Sequence, residues 1–123
     1  MTDPADRLPW MAAARRAALG LQATTRGRRG AKHALYVVLL EDRRRVCRHG
    51  LYVGQTSRDP DLRFDQHKSG YKASRYVARF GVTLLPELTA HLNPLRAWEA
   101  LELEAALFEE LVRAGVPWVE GGH

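Results

Sequence analysis

The residue whose position has the clearest chemical implication is Glu104. On a helix that turns by about 100° per residue, with Trp98 at 0°, apolar side chains fill an arc from about 180° to about 340°. Glu104 falls near 240°, inside that arc, so we expect its carboxylate to face the protein interior. A buried carboxylate requires a base, hydrogen-bond donors or a metal ion. The helix alone favours a buried salt bridge over a metal site. The predicted inward arc contains Leu107, Leu111, Phe108, Leu101, Val112 and Ala105, and the predicted polar side contains Glu99, Glu102, Glu109 and Glu110.

Four other side chains could take part in proton or phosphate chemistry. Arg63 and His67 are four residues apart, so a helix would place them on one face. A guanidinium is a permanently charged, planar donor suited to phosphate, and a histidine ordinarily titrates near physiological pH. Tyr36 and Tyr52 stand in apolar runs, where a tyrosine is usually a core residue. A phenol is a poor base at neutral pH unless nearby cations lower its pKa.

The charge of the chain is divided unevenly along its length. The 123 residues carry a formal net charge of +5. Residues 1–32 contain seven bases and two acids (+5), residues 33–81 contain ten bases and five acids (+5), and residues 82–123 contain two bases and seven acids (−5). A basic region of this kind favours a polyanionic partner, nucleic acid first. The alternative is a basic protein whose charge serves only solubility.

The second predicted helix carries a basic stripe. Lys72, Arg75 and Arg79 follow i, i+3, i+7 spacing, and Lys68 lies just before them. We assign these four side chains to backbone phosphates, contacts that give affinity without reading sequence. A solvated helix face is the alternative.

These residues must be positioned by a small set of elements. Two apolar runs, 35–40 and 51–53, predict strands joined by a polar loop that carries four arginines. Asp59 and Pro60 predict a helix start, with the helix reaching Lys68. A helix from about Lys72, a strand over 82–85 and a long helix from 93–94 to about Ala114 follow.

The predicted order is therefore β-β-α-α-β-α, an α+β fold with a three-stranded, mostly antiparallel sheet flanked by helices. We divide the chain into an N-terminal extension, 1–32, and a domain, 33–123. The extension should hold a short helix over 9–21 and a flexible basic linker over 24–32, which either binds a ligand or is only a connector.

The whole pattern resembles the GIY-YIG nuclease family. Ala34-Leu35-Tyr36 and Tyr52-Val53-Gly54 look like the two tripeptides for which the family is named, although Ala34 stands where the family has Gly. Gln55-Thr56 looks like the loop behind the second tripeptide. Arg63 and His67 look like the arginine and the His or Tyr of the family's first helix. Glu104 looks like its single metal-binding glutamate, and the resemblance covers about residues 33–119.

The resemblance implies a Mg²⁺- or Mn²⁺-dependent DNA endonuclease with one metal ion. Glu104 would hold the ion, Arg63 would contact the phosphate in the transition state, and His67 would relay a proton. Either Tyr36 or Tyr52 would take a proton from the attacking water. Gln55 and Thr56 would contribute to nucleic-acid binding.

One family feature is absent from this sequence. Many members have an asparagine after the glutamate helix, whereas the only asparagine here, Asn93, precedes it. Its role is either lost or taken over by another residue, for which His123 is a candidate. Two alternatives to the enzyme follow: a non-catalytic nucleic-acid-binding module on the same fold, and a protein-interaction module that uses the acidic C-terminal helix.

Composition excludes several other classes. Hydrophobic residues make up 46% and charged residues 27% of the chain, as in ordinary globular proteins. The longest apolar run, 34–40, is too short to span a bilayer, and the N-terminus does not look like a secretory signal. The single cysteine, Cys47, cannot form an internal disulfide, which favours the cytoplasm. We expect no membrane partner, and a protein partner could direct the chain to its target.

Overall fold

The computed structural model describes residues 4–69 and 74–121. Within these residues the fold has four α-helices and four strands, with short 3-10 turns at Pro4–Arg7 and Pro86–Leu88. The helices are α1 (Met11–Leu19), α2 (Pro60–Ser69), α3 (Arg75–Phe80) and α4 (Ala97–Arg113). The strands are β1 (Ala34–Glu41), β2 (His49–Thr56), β3 (Gly81–Leu84) and β4 (Val119–Gly121).

The α+β class is confirmed, but the sheet differs from the prediction. It has four strands in the order β3-β1-β2-β4 and is mixed, because β4 pairs with β2 in parallel while the other pairs are antiparallel. The prediction of three strands is therefore wrong. Strand β4 is three residues long, too short to show an alternating pattern, and it forms a strand because it pairs with the edge of β2.

The two faces of the sheet bury different side chains. Val37, Leu39, Leu51 and Val53 pack with α1 and α4 on one face. The alternate residues of the same strands pack with α2 and α3 on the other face, because successive strand side chains point to opposite sides. This second face, which we call the tyrosine face, contains Tyr36, Val38, Leu40, Tyr52, Val77 and Trp118.

Helix α4 is rotated relative to the arc predicted from its sequence. Glu104 is 2% exposed, so its inward orientation is confirmed. Leu101 and Val112, predicted to face inward, are 55% and 51% exposed. Glu99, predicted to face solvent, is 5% exposed. The apolar arc is wider than the one face that the body can cover, so only part of it is buried, and Glu99 is drawn inward by polar partners.

Those partners belong to the segment expected to be a flexible linker. The Glu99 carboxylate accepts hydrogen bonds from the backbone N–H and the hydroxyl of both Thr24 and Thr25, at 2.6–2.9 Å. The Arg26 side chain donates to the carbonyl of Asn93. This part of the segment is therefore fixed to the start of α4, and α1 contributes Met11 and other side chains to the same core as β1. Residues 24–26 are thus hydrogen-bonded to other segments, and the flexibility of the linker stays a prediction.

Helix boundaries also shift. α1 is shorter than the predicted 9–21, α3 begins at Arg75 rather than near 72, and α4 begins at Ala97 rather than at Asn93. Asn93 instead bonds the backbone of Leu35, accepting from its N–H and donating to its carbonyl, both at 2.8 Å. A side-chain amide thus continues the hydrogen bonding of β1 where β3 has ended. Among the described residues no helix is long and apolar enough to cross a membrane.

Candidate active site on the tyrosine face

The two tyrosines meet because of the register between β1 and β2. Tyr36 lies opposite Gly54, and Tyr52 lies opposite Val38, so the tyrosines are diagonal neighbours on one face. Their ring centroids are 6.2 Å apart and the rings are tilted by 32°. Each tyrosine is 4% exposed, so both phenols lie at the edge of the core rather than on the surface.

The glycine opposite Tyr36 makes room for its ring. A Cβ built on Gly54 would lie 2.5 Å from both Cζ and Oη of Tyr36, closer than such atoms approach in proteins. The phenol therefore lies directly over the Gly54 backbone. This contact gives a physical reason for a glycine at the end of the Tyr52-Val53-Gly54 tripeptide, since any side chain there would displace the Tyr36 hydroxyl.

His67 completes a triangle of rings with the two tyrosines. Its ring centroid lies 6.1 Å from that of Tyr36 and 5.9 Å from that of Tyr52. Its Nε2 lies 2.9 Å from the Tyr36 hydroxyl, and its Nδ1 accepts the backbone N–H of Ser74 at 2.8 Å. Because a backbone N–H can only donate, Nδ1 carries no proton. In the neutral ring Nε2–H therefore donates to the Tyr36 oxygen.

The electrostatics of His67 differ from the sequence-based expectation. Burial, helped by the positive charge of Arg63, lowers the pKa of His67 to about 4. The ring is therefore neutral at physiological pH, with its proton on Nε2. This pKa lies below the value expected from the sequence, and the role of His67 as a proton relay stays a prediction. The ring orients the Tyr36 hydroxyl and supplies a hydrogen bond to its oxygen.

Both phenols are harder to ionise than an isolated tyrosine. Burial raises the pKa of Tyr36 well above its ordinary value, the neighbouring Tyr52 adds to this, and Arg63 partly opposes it. Burial also raises the pKa of Tyr52, while hydrogen bonds from Ser74 and Tyr36 oppose the rise. Nearby cations therefore do not outweigh burial, and both phenols are neutral at physiological pH. Tyr52 has the smaller rise.

Arg63 and Glu104 converge on the same two phenols from different helices. Arg63 lies one helical turn before His67 on α2, is partly buried, and donates to Gln66 at 3.4 Å. Its charge lowers the pKa of both tyrosines, whereas the Glu104 carboxylate on α4 raises both. Such opposing effects on each phenol require both charges to lie near the tyrosine pair. The fold thus brings together all five residues predicted as catalytic, Tyr36, Tyr52, Arg63, His67 and Glu104.

The donor set of the described residues suits a metal ion that keeps most of its water. Within residues 4–69 and 74–121 no group of three or more His, Cys, Asp or Glu side chains lies together. Mg²⁺ is commonly held by one or two carboxylates with several waters, so a single buried carboxylate, Glu104, is compatible with it.

The residues predicted to bind nucleic acid are arranged in different ways. Arg75 and Arg79 are exposed on α3, with their guanidinium groups 5.4 Å and 5.1 Å from the Tyr76 and Phe80 rings. These four side chains line a cavity of about 260 Å³. Lys68 is exposed, but its ammonium group bonds the carbonyls of residues 78 and 81. Lys72 lies outside the described residues, as does His123.

Two further predicted residues are largely enclosed. Thr56 is 8% exposed, and its hydroxyl accepts the Arg58 backbone N–H. The Gln55 side-chain oxygen is buried without a hydrogen-bond partner among the described residues. A second cavity, of about 210 Å³ and mostly apolar, adjoins Tyr36 between β1 and the start of α2. Its apolar lining does not suit a phosphate.

Sequence reasoning missed two residues that shape the site. Ser74 sets the proton position on His67 through its backbone, a role that no side-chain pattern reveals. Glu99 anchors the start of the helix that carries Glu104. Its signal was present in the two successive threonines of a segment interpreted as a linker, because paired N–H and hydroxyl donors are suited to a carboxylate.

Comparison with known proteins gives no further guide. No protein-family model matches the chain, and neither do any of the curated proteins or solved structures.

Proposed function

We propose that this chain is a Mg²⁺-dependent endonuclease that hydrolyses phosphodiester bonds in DNA. The observation that supports this most directly is the convergence of a guanidinium and a carboxylate on one pair of hydrogen-bonded phenols. The resemblance to GIY-YIG nucleases assigns catalytic roles to these same five residues. A structural tyrosine pair would not need two opposite charges beside it, since buried charges are costly to maintain.

Each residue has a role that follows from its chemistry. Glu104 would hold the ion through its carboxylate. When bound, Mg²⁺ would neutralise phosphate charge and order water at the site. Arg63 would donate to the phosphate oxygens, with a fork that matches their geometry and strengthens as charge develops. Arg63 lies on α2 one turn from His67, so its side chain is directed toward the same pair of tyrosines.

One of the two tyrosines would accept the proton of the attacking water. Neither phenol ionises at neutral pH in the isolated protein, so a phenolate would form only when added positive charge lowers its pKa. His67 assists indirectly, because its Nε2–H donates to the Tyr36 oxygen and the hydrogen bond from Tyr36 to Tyr52 lowers the pKa of Tyr52. Tyr52, whose pKa is raised less, is the better candidate for the base, and Tyr36 positions it.

The test is cleavage of supercoiled and linear DNA with Mg²⁺, Mn²⁺ or excess chelator. We expect nicking that depends on the ion and is abolished in Glu104→Gln. Glu102→Gln is the matched control, because Glu102 is an exposed glutamate on the same helix. Cleavage by Glu104→Gln at the wild-type rate would exclude the assigned metal site.

Replacement of Arg63 distinguishes an effect on catalysis from an effect on DNA binding. Arg63→Ala should lower turnover by about 10²-fold to 10³-fold while retaining most of the DNA affinity. If the variant instead loses affinity and keeps turnover on saturating DNA, Arg63 has no transition-state role. A protein that binds DNA but never cleaves it, with either ion and on duplex, branched, flapped or single-stranded DNA, would be a non-catalytic binding module on this fold.

A further inference from the structure

Helix α4 has a second apolar face, whose side chains are largely exposed among the described residues. Trp98, Leu101 and Val112 are 52%, 55% and 51% exposed. With Trp98 at 0°, they fall between about 300° and about 360° around the helix. Ala105, which is also exposed, shares this face. The outer stripe therefore consists of Trp98, Leu101, Ala105 and Val112.

The spacing of the outer stripe is that of a helix-packing seam. Its members follow one another at intervals of three, four and seven residues, which fit the heptad pattern by which one helix packs against another. Single exposed apolar residues are ordinary, but large ones aligned along four turns of one helix indicate an interaction surface. Trp98 at one end is the residue type that most often dominates binding energy at interfaces.

The edge of the outer stripe is acidic. Glu102 and Glu109 are exposed and fall near 40° and 20°, directly beside the stripe. They occupy equivalent positions one heptad apart, where flanking charges select the partner of a helix. Nucleic acid is disfavoured on this surface because its phosphates would lie against two carboxylates.

The same edge argues against a second copy of the chain. Two antiparallel copies of α4 would place their acidic edges side by side, a like-charge contact. Two parallel copies would direct the acidic edge of each toward the side of the other that carries Glu104. A partner helix with an apolar seam and basic flanks would pack against the outer stripe and pair with the carboxylates at its edge.

We propose that the outer stripe of α4 docks an amphipathic helix of another protein, with lysine or arginine along the side that meets Glu102 and Glu109. Leu101 lies three residues before Glu104 and Ala105 one residue after it, so the docked helix would run beside the candidate active site. The surface stands on exposure, spacing and charge alone and does not depend on nuclease activity.

The test uses the full-length protein and two synthetic three-heptad peptides, both with leucine seams. One peptide has lysine at the flanking positions and the other has glutamate. By fluorescence anisotropy we expect the basic peptide to bind at least about tenfold more tightly than the acidic one. Leu101→Asp should weaken this binding by about tenfold or more. Val82→Asp, at a residue 51% exposed on β3, should not change it.

Charge reversal provides the stricter criterion. Glu102→Lys combined with Glu109→Lys should invert the preference, so that the acidic peptide binds better. Glu102 and Glu109 are both exposed, so circular dichroism should show that the charge-reversal variant keeps its fold. If Leu101→Asp unfolds, Val112→Gln takes its place in the binding experiment. The proposal is overturned if neither peptide binds or if charge reversal leaves the preference unchanged. It is also overturned if sedimentation shows a dimer that Leu101→Asp dissociates, since a second copy would then occupy the stripe.

Discussion

Replacement of Glu99 tests how the N-terminal segment is fastened to the helix that carries Glu104. In the wild-type chain the carboxylate of Glu99 accepts four hydrogen bonds, two from Thr24 and two from Thr25. Glu99→Gln preserves the shape but replaces one acceptor oxygen with an amide donor. At least one threonine then presents its N–H and hydroxyl to another donor.

The size of the effect follows from which of these bonds is buried. A hydrogen bond to a charged group contributes about 1.5–3 kcal/mol to stability. Thr24 is exposed, so water replaces much of what it loses, whereas Thr25 is 5% exposed and cannot be rehydrated so readily. Counting chiefly the Thr25 bonds, we expect Glu99→Gln to lower the free energy of unfolding by about 3 kcal/mol. For a chain of this size that corresponds to a fall in Tm of about 12 °C.

The pH dependence provides the diagnostic signature. Burial alone would raise the pKa of Glu99, but the four hydrogen bonds from Thr24 and Thr25 outweigh it and lower the pKa from 4.5 to about 2. Because the pKa of Glu99 is lower in the folded state, the unfolded chain binds more protons below pH 4.5. The free energy of unfolding therefore decreases as the pH is lowered through this range. The gap between wild type and Glu99→Gln should therefore be full at pH 7 and close as the pH falls from 4.5 toward 2.

Thermal and urea unfolding, followed by circular dichroism from pH 7 to pH 2.5, measures this gap. Glu102→Gln is the control, because it removes the same charge from an exposed position on the same helix and should change stability by less than about 0.5 kcal/mol. A gap that stays constant across the pH range would refute the argument, as would an equal effect of Glu102→Gln.

Three further predictions concern the site and its surroundings. Gly54→Ala should destabilise the fold by about 1–3 kcal/mol and abolish cleavage, because its methyl group would occupy the position of the Tyr36 ring; unfolding and nicking assays measure both. His67 should contribute no activity inflection near pH 6.5. Because its folded pKa of about 4 lies below the unfolded value of 6.5, His67 should lower the free energy of unfolding as the pH falls through that range. pH–rate profiles and unfolding of His67→Gln test these two expectations. Arg75→Gln with Arg79→Gln should weaken DNA binding and reduce its salt slope by about 1.8, as titrations at several salt concentrations will show.

Two of these predictions, on Gly54 and on the arginine pair, have a matched control. Gly20→Ala should be neutral, since Gly20 has ordinary helical backbone angles and no atom nearer than 3.4 Å to an added Cβ. Arg7→Gln with Arg16→Gln removes the same charge from exposed positions outside the tyrosine face, and should leave most of the salt slope intact. If Gly54→Ala is as active as wild type, or both arginine pairs have equal effects, the corresponding assignment is wrong.

The candidate site could be predicted from the sequence to the extent that it depends on regular elements. Alternation along two strands and the four-residue step from Arg63 to His67 depend only on backbone geometry, as does the inward position of Glu104. The protonation states of the histidine and the two tyrosines could not be predicted from the sequence. Whether a histidine titrates near neutrality or a phenol ionises depends on burial and on neighbours from other elements.

Helix α4 shows the same division. Its sequence determined a long helix with more apolar residues than one face needs, but not which of them would be buried. That choice required the positions of α1, of the sheet and of the Thr24–Thr25 donors, which lie about 75 residues away along the chain. By itself, the sequence determined the strands, the helices and the charge distribution, because local periodicity and composition are sufficient for these. Only the tertiary structure decided the fourth strand, the burial of Glu99 and the proton on His67, because each depends on a contact between segments that are distant in the chain.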